Sequence, residues 1–340
     1  LNRRVHESCN MGQKGIALLR TPPGPAAQAC LLRYGPTLNH GHFDELGINY
    51  VGLGYDLTYD LGYGDGATHT QVGWAKQTAS HNLVLVNETP QLSDAVDDRG
   101  GSLHLFAGMP GMQLVDAGVP HVYRSQGVEE YRRAVALVGA GQRSYLLDVF
   151  TVEGGQQHDY LVHSLSDDVS FEGLELGPEQ EGSLAGNEYD WGDRQLADGY
   201  MKGVPHQSYW NPPPGNGLGF MMNPRRDRTG DQWSSTWHLP DGESHMRLTV
   251  LGQPDTEVIA CTAPGIFPDE PEAVHMVARR SGTDGPLHSR FVSIREPYGP
   301  SMAQHRGLRG PDLLQQAATD DGQIKYISGY GIVLFQAKEF

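Results

Sequence analysis

The residues best suited to chemistry in this 340-residue chain lie in one stretch, Tyr34–Asn82. It contains Asn39-His40-Gly41-His42-Phe43-Asp44, then Tyr59-Asp60-Leu61-Gly62-Tyr63-Gly64, then Thr78-Ala79-Ser80-His81-Asn82. A lone loop histidine is most often only solvated or hydrogen-bonded. Two histidines separated by a single glycine, with an aspartate close behind, say more. Imidazole nitrogens and a carboxylate are the donors that Zn²⁺ takes.

The elements around these residues can bring them together. Gly47–Val51 and Tyr55–Asp60 flank Gly52-Leu53-Gly54, a glycine-rich turn suited to a hairpin. A turn centred on Leu53 sets Asp60 opposite Leu46, with His42 just beyond, opposite Gly64. His42 and Asp60 then meet at the open end of the hairpin. His81 heads the next apolar run, Asn82–Val86, and completes the cluster if that strand lies alongside. Such a set leaves a fourth position for water or another ligand. Asp44 offers a different carboxylate: His42-Phe43-Asp44 with a distant histidine also matches the facial triad of iron-dependent oxygenases, which use jelly rolls.

The rest of the chain reads as strands and turns. Its 44 glycines and 22 prolines punctuate short apolar runs. These fall at Gly15–Arg20, Gln28–Tyr34, Gly47–Val51, Asn82–Val86, Ser144–Val152, Met246–Leu251, Glu257–Cys261, Ser289–Arg295 and Ile324–Ala337. Only Gly310–Ala318 has a helical texture. The expected fold class is all-β: a large antiparallel β-sandwich over residues 14–251, preceded by a leader or linker remnant (1–13). A smaller C-terminal β unit (252–340) follows across a soft boundary. Asp190–Asp231, with Trp191 and Trp210, reads as long irregular loops, where the tryptophans can stack on sugar or close a core.

Composition narrows the partners. A net charge of −16 argues against a nucleic-acid surface, and an anionic ligand would need a local basic cleft. Arg20, Arg33, Arg132 and Arg133 are candidates for one, although ordinary solvation is the commoner role. No apolar run approaches the roughly 20 residues of a membrane span. Residues 1–30 lack a signal-peptide layout and the chain opens on Leu1, which reads as a processed product or fragment. Cys9, Cys30 and Cys261 form no C-x-x-C pair; a Cys9–Cys30 disulfide and three free thiols are both open.

Gly35–Asp44, Asp60–Gly64 and Thr78–Asn82 together resemble the heparinase II/III-like family of polysaccharide lyases. Tyr131-Arg132-Arg133, Ser144–Asp148, Gln157–His163 and Ser289–Tyr298 extend the similarity. In that family an N-terminal α/α toroid precedes antiparallel sheet domains, and only the sheet part has a counterpart here. The resemblance implies a secreted or periplasmic lyase that cleaves an acidic, uronate-bearing glycan by β-elimination. The toroid would be supplied by the same or another chain. It implies His40 as the active-site histidine, and His42, Asp60 and His81 as ligands of a structural zinc. Asn39 and Tyr63 lie near enough to touch substrate, although packing or loop hydrogen bonding is the commoner role. His158 and His163 suit a sandwich interior and receive no chemistry. The non-enzymatic alternative is a metal-stabilised glycan-binding sandwich.

Overall fold

The computed structural model describes residues 7–23, 26–36, 41–62, 70–91, 100–139, 144–188, 215–267, 270–282 and 285–299, with the strands 324–328 and 331–335. The helical candidate Gly310–Ala318, Trp191 and Trp210 lie outside the described residues.

Strands dominate, as the turn-punctuated sequence requires. The first sheet runs in chain order through β1 (Cys9–Met11), β2 (Ile16–Arg20), β3 (Ala29–Arg33), β4 (Ile48–Gly52) and β5 (Tyr55–Asp56). Next come β6 (Val84–Val86), β7 (Ser102–Met109), β8 (Met112–Gly118), β9 (Glu130–Val138), β10 (Tyr145–Glu153), β11 (Gln157–His163) and β12 (Val169–Glu172). Then follow β13 (Met222–Thr229), β14 (Trp233–His238), β15 (His245–Val250), β16 (Thr256–Phe267), β17 (Glu270–Ser281) and β18 (His288–Tyr298). These build an eight-stranded sheet, ordered β12-β14-β15-β18-β10-β9-β8-β7, and a five-stranded sheet, β13-β16-β17-β11-β6. Every pairing is antiparallel. A separate hairpin joins β19 (Ile324–Ser328) to β20 (Gly331–Phe335).

Alternation sets which face is buried. In β2 and β3 every second residue is buried, so Ala17, Leu19, Cys30 and Leu32 point inward. They join Val135, Leu146 and Phe150 of the large sheet, and Val84, Tyr160 and Val258 of the five-stranded one, in a single core cluster. Residues 252–299, set apart by the sequence reading, supply β16, β17 and β18 to these same two sheets. Cys9–Met11, read as part of a leader remnant, forms an edge strand against β2. The three cysteines are all free thiols, so the Cys9–Cys30 disulfide is not made.

One polar cluster lies inside this core. Arg133, Asp148 and Arg295 are each 0% exposed. Arg133 grips Asp148 through two bonds, Nε–Oδ1 at 2.9 Å and Nη2–Oδ2 at 2.6 Å. Arg295 Nη1 and Tyr160 OH each donate to Oδ2 at 2.7 Å. Burial by itself would raise the Asp148 pKa, but the two guanidinium charges and their hydrogen bonds hold it well below the carboxylate range. Arg133 therefore lines no basic cleft and is not solvated. Arg132, its neighbour on β9, points the other way and forks onto Asp116 of β8 at 2.8 and 2.5 Å.

His158 is fully buried between Ser289 Oγ (2.8 Å) and the Gly154 carbonyl (2.6 Å). Burial lowers its pKa from 6.5 to about 4, only partly opposed by the Gly154 bond. The unfolded chain therefore binds a proton here between those values while the folded chain does not, so acid weakens the fold across that window. Urea unfolding should show the His158→Asn variant losing about 2 kcal/mol less stability than wild type between pH 7 and pH 5. Equal losses in both proteins would show that His158 titrates alike in the folded and unfolded states.

Candidate metal centre

The hairpin that carries Asp60 turns on Leu53 and Gly54, both at positive φ (57° and 84°), the signature of a two-residue type I′ turn. Val51 pairs with Asp56 and Gly52 with Tyr55, one position beyond the register expected from a turn centred on Leu53. Regular pairing ends at Asp56. Beyond it Leu57 N donates to Tyr50 O at 2.7 Å, and the Thr58 hydroxyl accepts from Tyr50 N at 2.7 Å and donates to Ile48 O at 3.1 Å. Side-chain bonds thus carry the chain to Asp60 where the ladder stops.

The other two ligand segments are tied together. Gln71–Ala75 forms a single π-helical turn and Thr78–Ser80 a 3₁₀ turn. Phe43 N donates to Lys76 O (2.9 Å) and Thr78 Oγ1 to Phe43 O (2.8 Å), which fastens the His42 loop to these turns. His81 follows immediately and leads into β6, the edge of the five-stranded sheet.

His42, Asp60 and His81 converge. His42 Nδ1 lies 3.1 Å from His81 Nε2 and 3.2 Å from Asp60 Oδ1, and His81 Nε2 lies 3.6 Å from Asp60 Oδ2. Both imidazoles are buried and Asp60 is half-buried. His81 Nδ1 faces the Gln77 carbonyl at 2.8 Å, and a carbonyl only accepts, so this nitrogen carries the proton. The Nε2 lone pair then aims at the other two donors. Asp60 Oδ1 also accepts Gly62 N–H at 2.7 Å, which fixes the carboxylate. Burial would raise the Asp60 pKa, but the hydrogen bonds and charge of His42 and His81 outweigh it and hold the group far below its usual range.

An inward lone pair of His81 and an ionised carboxylate repel unless a cation or shared proton sits among them. Three donor atoms within 4.8 Å of one another fit one divalent ion. The two imidazole nitrogens, 3.1 Å apart, lie close to the roughly 3.3 Å expected between tetrahedral ligands at zinc bond lengths, and the two Asp60 oxygens face one imidazole each, Oδ1 at 3.2 Å from His42 and Oδ2 at 3.6 Å from His81. Among the described residues this is the group that could hold a metal. Asp44, the carboxylate of the oxygenase alternative, instead pairs with Arg33. Arg33 also donates to the carbonyls of Pro36 (3.2 Å) and His42 (3.4 Å), which bracket residues 37–40. His40, Asn39 and Tyr63 lie outside the described residues. Sequence reasoning missed Gln77, Asn82 and His163, the groups behind the ligands. The adjacency of Asn82 to His81 was the available signal.

Replacing Asp60 or His81 by alanine should release zinc and lower the melting temperature in the presence of the metal, since a ligand that binds only the folded state stabilises it. Elemental analysis of the purified variants checks the first expectation. Full zinc content in both would remove these residues from the ligand set.

Comparison with known proteins places this geometry. No curated protein sequence matches significantly. Among solved structures, the heparan sulfate lyase HepC from Pedobacter heparinus superimposes with a TM-score of 0.59 at 14% identity, over 98% of this chain and 43% of that one. A heparinase III superimposes with a TM-score of 0.57 at 14% identity, over 94% of this chain and 40% of that one. Such identities speak to the fold, and this chain spans less than half the length of either protein. The profile of the heparinase II/III-like C-terminal domain matches residues 10–248, a span that holds all three candidate ligands. This chain therefore belongs to the heparinase II/III-like family and corresponds to its C-terminal, sheet-forming part.

Proposed function

We propose that this chain is the β-sandwich half of a polysaccharide lyase that cleaves uronate-bearing glycans by β-elimination, with a structural zinc on His42, Asp60 and His81. The observation that carries the reading is the convergence of those three side chains, the first of them two residues after His40 in sequence, in a chain of this family. The substrate is an acidic polysaccharide of glycosaminoglycan or alginate type, and the site of action is secreted or periplasmic. An N-terminal toroid on the same or another chain completes the catalytic cleft.

In this reaction a base removes the proton at C5 of the uronate. The C–H electron pair forms the C4–C5 double bond, and the C4–oxygen bond breaks. The departing glycosidic oxygen takes a proton from an acid. Neutralising the substrate carboxylate stabilises the enolate-like intermediate. His40 acts as the base or as the contact to that carboxylate, and Asn39 and Tyr63 touch the sugar. Arg33 holds both ends of the stretch that carries His40 and Asn39 through the Pro36 and His42 carbonyls. Zinc, when bound, fixes His42 and so the backbone two residues from His40; it takes no part in proton transfer. A glycan-binding role without catalysis remains the second reading, because the chain spans only about 40% of the related lyase structures.

His40→Ala in the complete enzyme should lower elimination by at least ~100-fold, the scale of a lost acid–base group, while zinc content and melting temperature stay unchanged. Ultraviolet absorbance of the unsaturated uronate product measures the rate. Zinc loss in this variant would move His40 into the ligand set. A complete wild-type enzyme that binds uronate polymers but yields no unsaturated ends would establish the binding role.

A further inference from the structure

We infer that Asn82, His163 and Arg133 form a buried brace that sets the three ligands in position before a metal arrives. The inference rests on the metal reading of His42, Asp60 and His81. It concerns groups that touch none of the metal-binding atoms.

Asn82 is the hub. Its side-chain Oδ1 accepts the His163 backbone N–H at 3.1 Å, and its Nδ2 lies against the His163 ring, 3.2 Å from both nitrogens. His163 Nε2 lies 2.9 Å from the Tyr59 carbonyl. A carbonyl can only accept, so Nε2 carries the proton and donates it to Tyr59 O. His163 thereby links Tyr59, the residue before Asp60, through its ring to Asn82, the residue after His81, through its backbone N–H. The ring is further held between Tyr59 (4.4 Å between centroids) and His275 (4.3 Å, stacked).

Arg133 makes the second link. Its Nη1 donates to Asn82 O at 2.6 Å and to Leu46 O at 2.7 Å. Leu46 lies four residues after His42, at the far end of the same tight loop, where Gly47 N closes on Asp44 O at 2.7 Å. The guanidinium cannot swing away, because its other two nitrogens are committed to Asp148. Asn82, His163 and Arg133 are 2%, 1% and 0% exposed, so water does not compete for these bonds.

Buried backbone groups need partners in any fold, so the bonds alone are unremarkable in number. Their connectivity separates a brace from routine satisfaction. Each donor spans two ligand-bearing segments distant in sequence, and together they join all three. A site held in this way binds metal without folding around it, in contrast to small zinc domains where binding and folding are one event.

The experiment uses the full chain and Zn²⁺ competed against a chromophoric chelator, with Co²⁺ absorption as a report on ligand geometry. His163→Leu, which removes the ring bond to Tyr59 O and the polar ring against the Asn82 amide, should weaken Zn²⁺ about 10- to 100-fold, the usual scale for groups behind a metal ligand, and alter the Co²⁺ spectrum. His163→Gln, which can both donate and accept, should recover most of the affinity. Trp237→Phe serves as the control: it removes the indole bond that runs from the eight-stranded sheet to Val274 O of the five-stranded one and should lower the melting temperature without changing Zn²⁺ affinity. Wild-type affinity in His163→Leu overturns the brace, and so does an equal loss in Trp237→Phe.

Hydrogen exchange on the wild-type chain tests the same idea without any substitution. The His163 amide, and those of residues 42–47 and 81–85, should be equally protected with and without Zn²⁺. Protection that appears only on metal addition overturns the brace. Failure of the wild type to bind Zn²⁺ at all would remove the metal reading itself, and the brace with it.

Discussion

Two guanidinium groups around one carboxylate leave a positive charge inside the core, and the position of the candidate metal site follows from how that charge is satisfied. Arg133 and Arg295 share Asp148, and all three are inaccessible to water. Arg295 also donates to Tyr160, whose hydroxyl meets Asp148 in turn. Arg133 has no second carboxylate within the cluster and turns to two backbone carbonyls instead. Those carbonyls belong to Leu46 and Asn82, on the loops that bear His42 and His81. Desolvating an ion costs several kcal/mol, and removing one partner of a buried pair typically costs 3–5 kcal/mol. The loops are thus held by a group that cannot afford to lose them, whereas a neutral donor would let them go more cheaply.

This arrangement also explains why irregular backbone can serve as a precise scaffold. The Asp60 segment leaves the β4–β5 ladder after Asp56, and the His42 loop contains Leu46 at a positive φ of 64°. Neither would be stable through backbone pairing alone. Thr58, Thr78 and Asn82 supply side-chain bonds where strand pairing stops. Each of these residues is buried, so the bonds are not exchanged for water. The sandwich provides rigid walls, and short polar side chains extend that rigidity across the gap to the ligands.

Much of this was legible in the sequence, for local reasons. Gly52-Leu53-Gly54 announced a hairpin, and apolar alternation in Ile16–Arg20 and Ala29–Arg33 announced half-buried strands. The meeting of His42 with Asp60 survived a one-residue error in register because Asp60 lies past the end of regular pairing, where the alternation of faces no longer applies. Other features were hidden. The edge strand β13, Met-Asn-Pro-Arg-Arg-Asp-Arg-Thr, is mostly polar and carries no apolar period to find. The strands after residue 252 return to the two main sheets through long-range pairings that local patterns do not encode. Arg133 read as a surface cation because arginine usually is one; its buried partners, Asp148 and Arg295, are separated from it by 15 and 162 positions. His163 was set aside as an interior histidine. Interior it is, yet its ring Nε2 and its backbone N–H tie together the residues beside two ligands.

The chain's net charge of −16 makes an acidic glycan an awkward partner, and the cluster itself suggests how the conflict is reduced. Arg33, the nearest cation among the sequence candidates, is already paired with Asp44 and adds no net charge beside the loop. Metal-ligating imidazoles are neutral and the carboxylate ionised, so the three ligands of such a site carry −1. A divalent ion on them changes that sum to +1. The reversal is local, felt over about a Debye length of 8–10 Å at ordinary ionic strength, and is stronger where protein rather than water surrounds it. On the proposed function, a metal held by these groups would contribute in two ways, by fixing the segment around His42 and by removing a negative charge from the approach of an anion. The second contribution needs a divalent ion in particular: a proton shared among the same three groups would only bring the sum to zero.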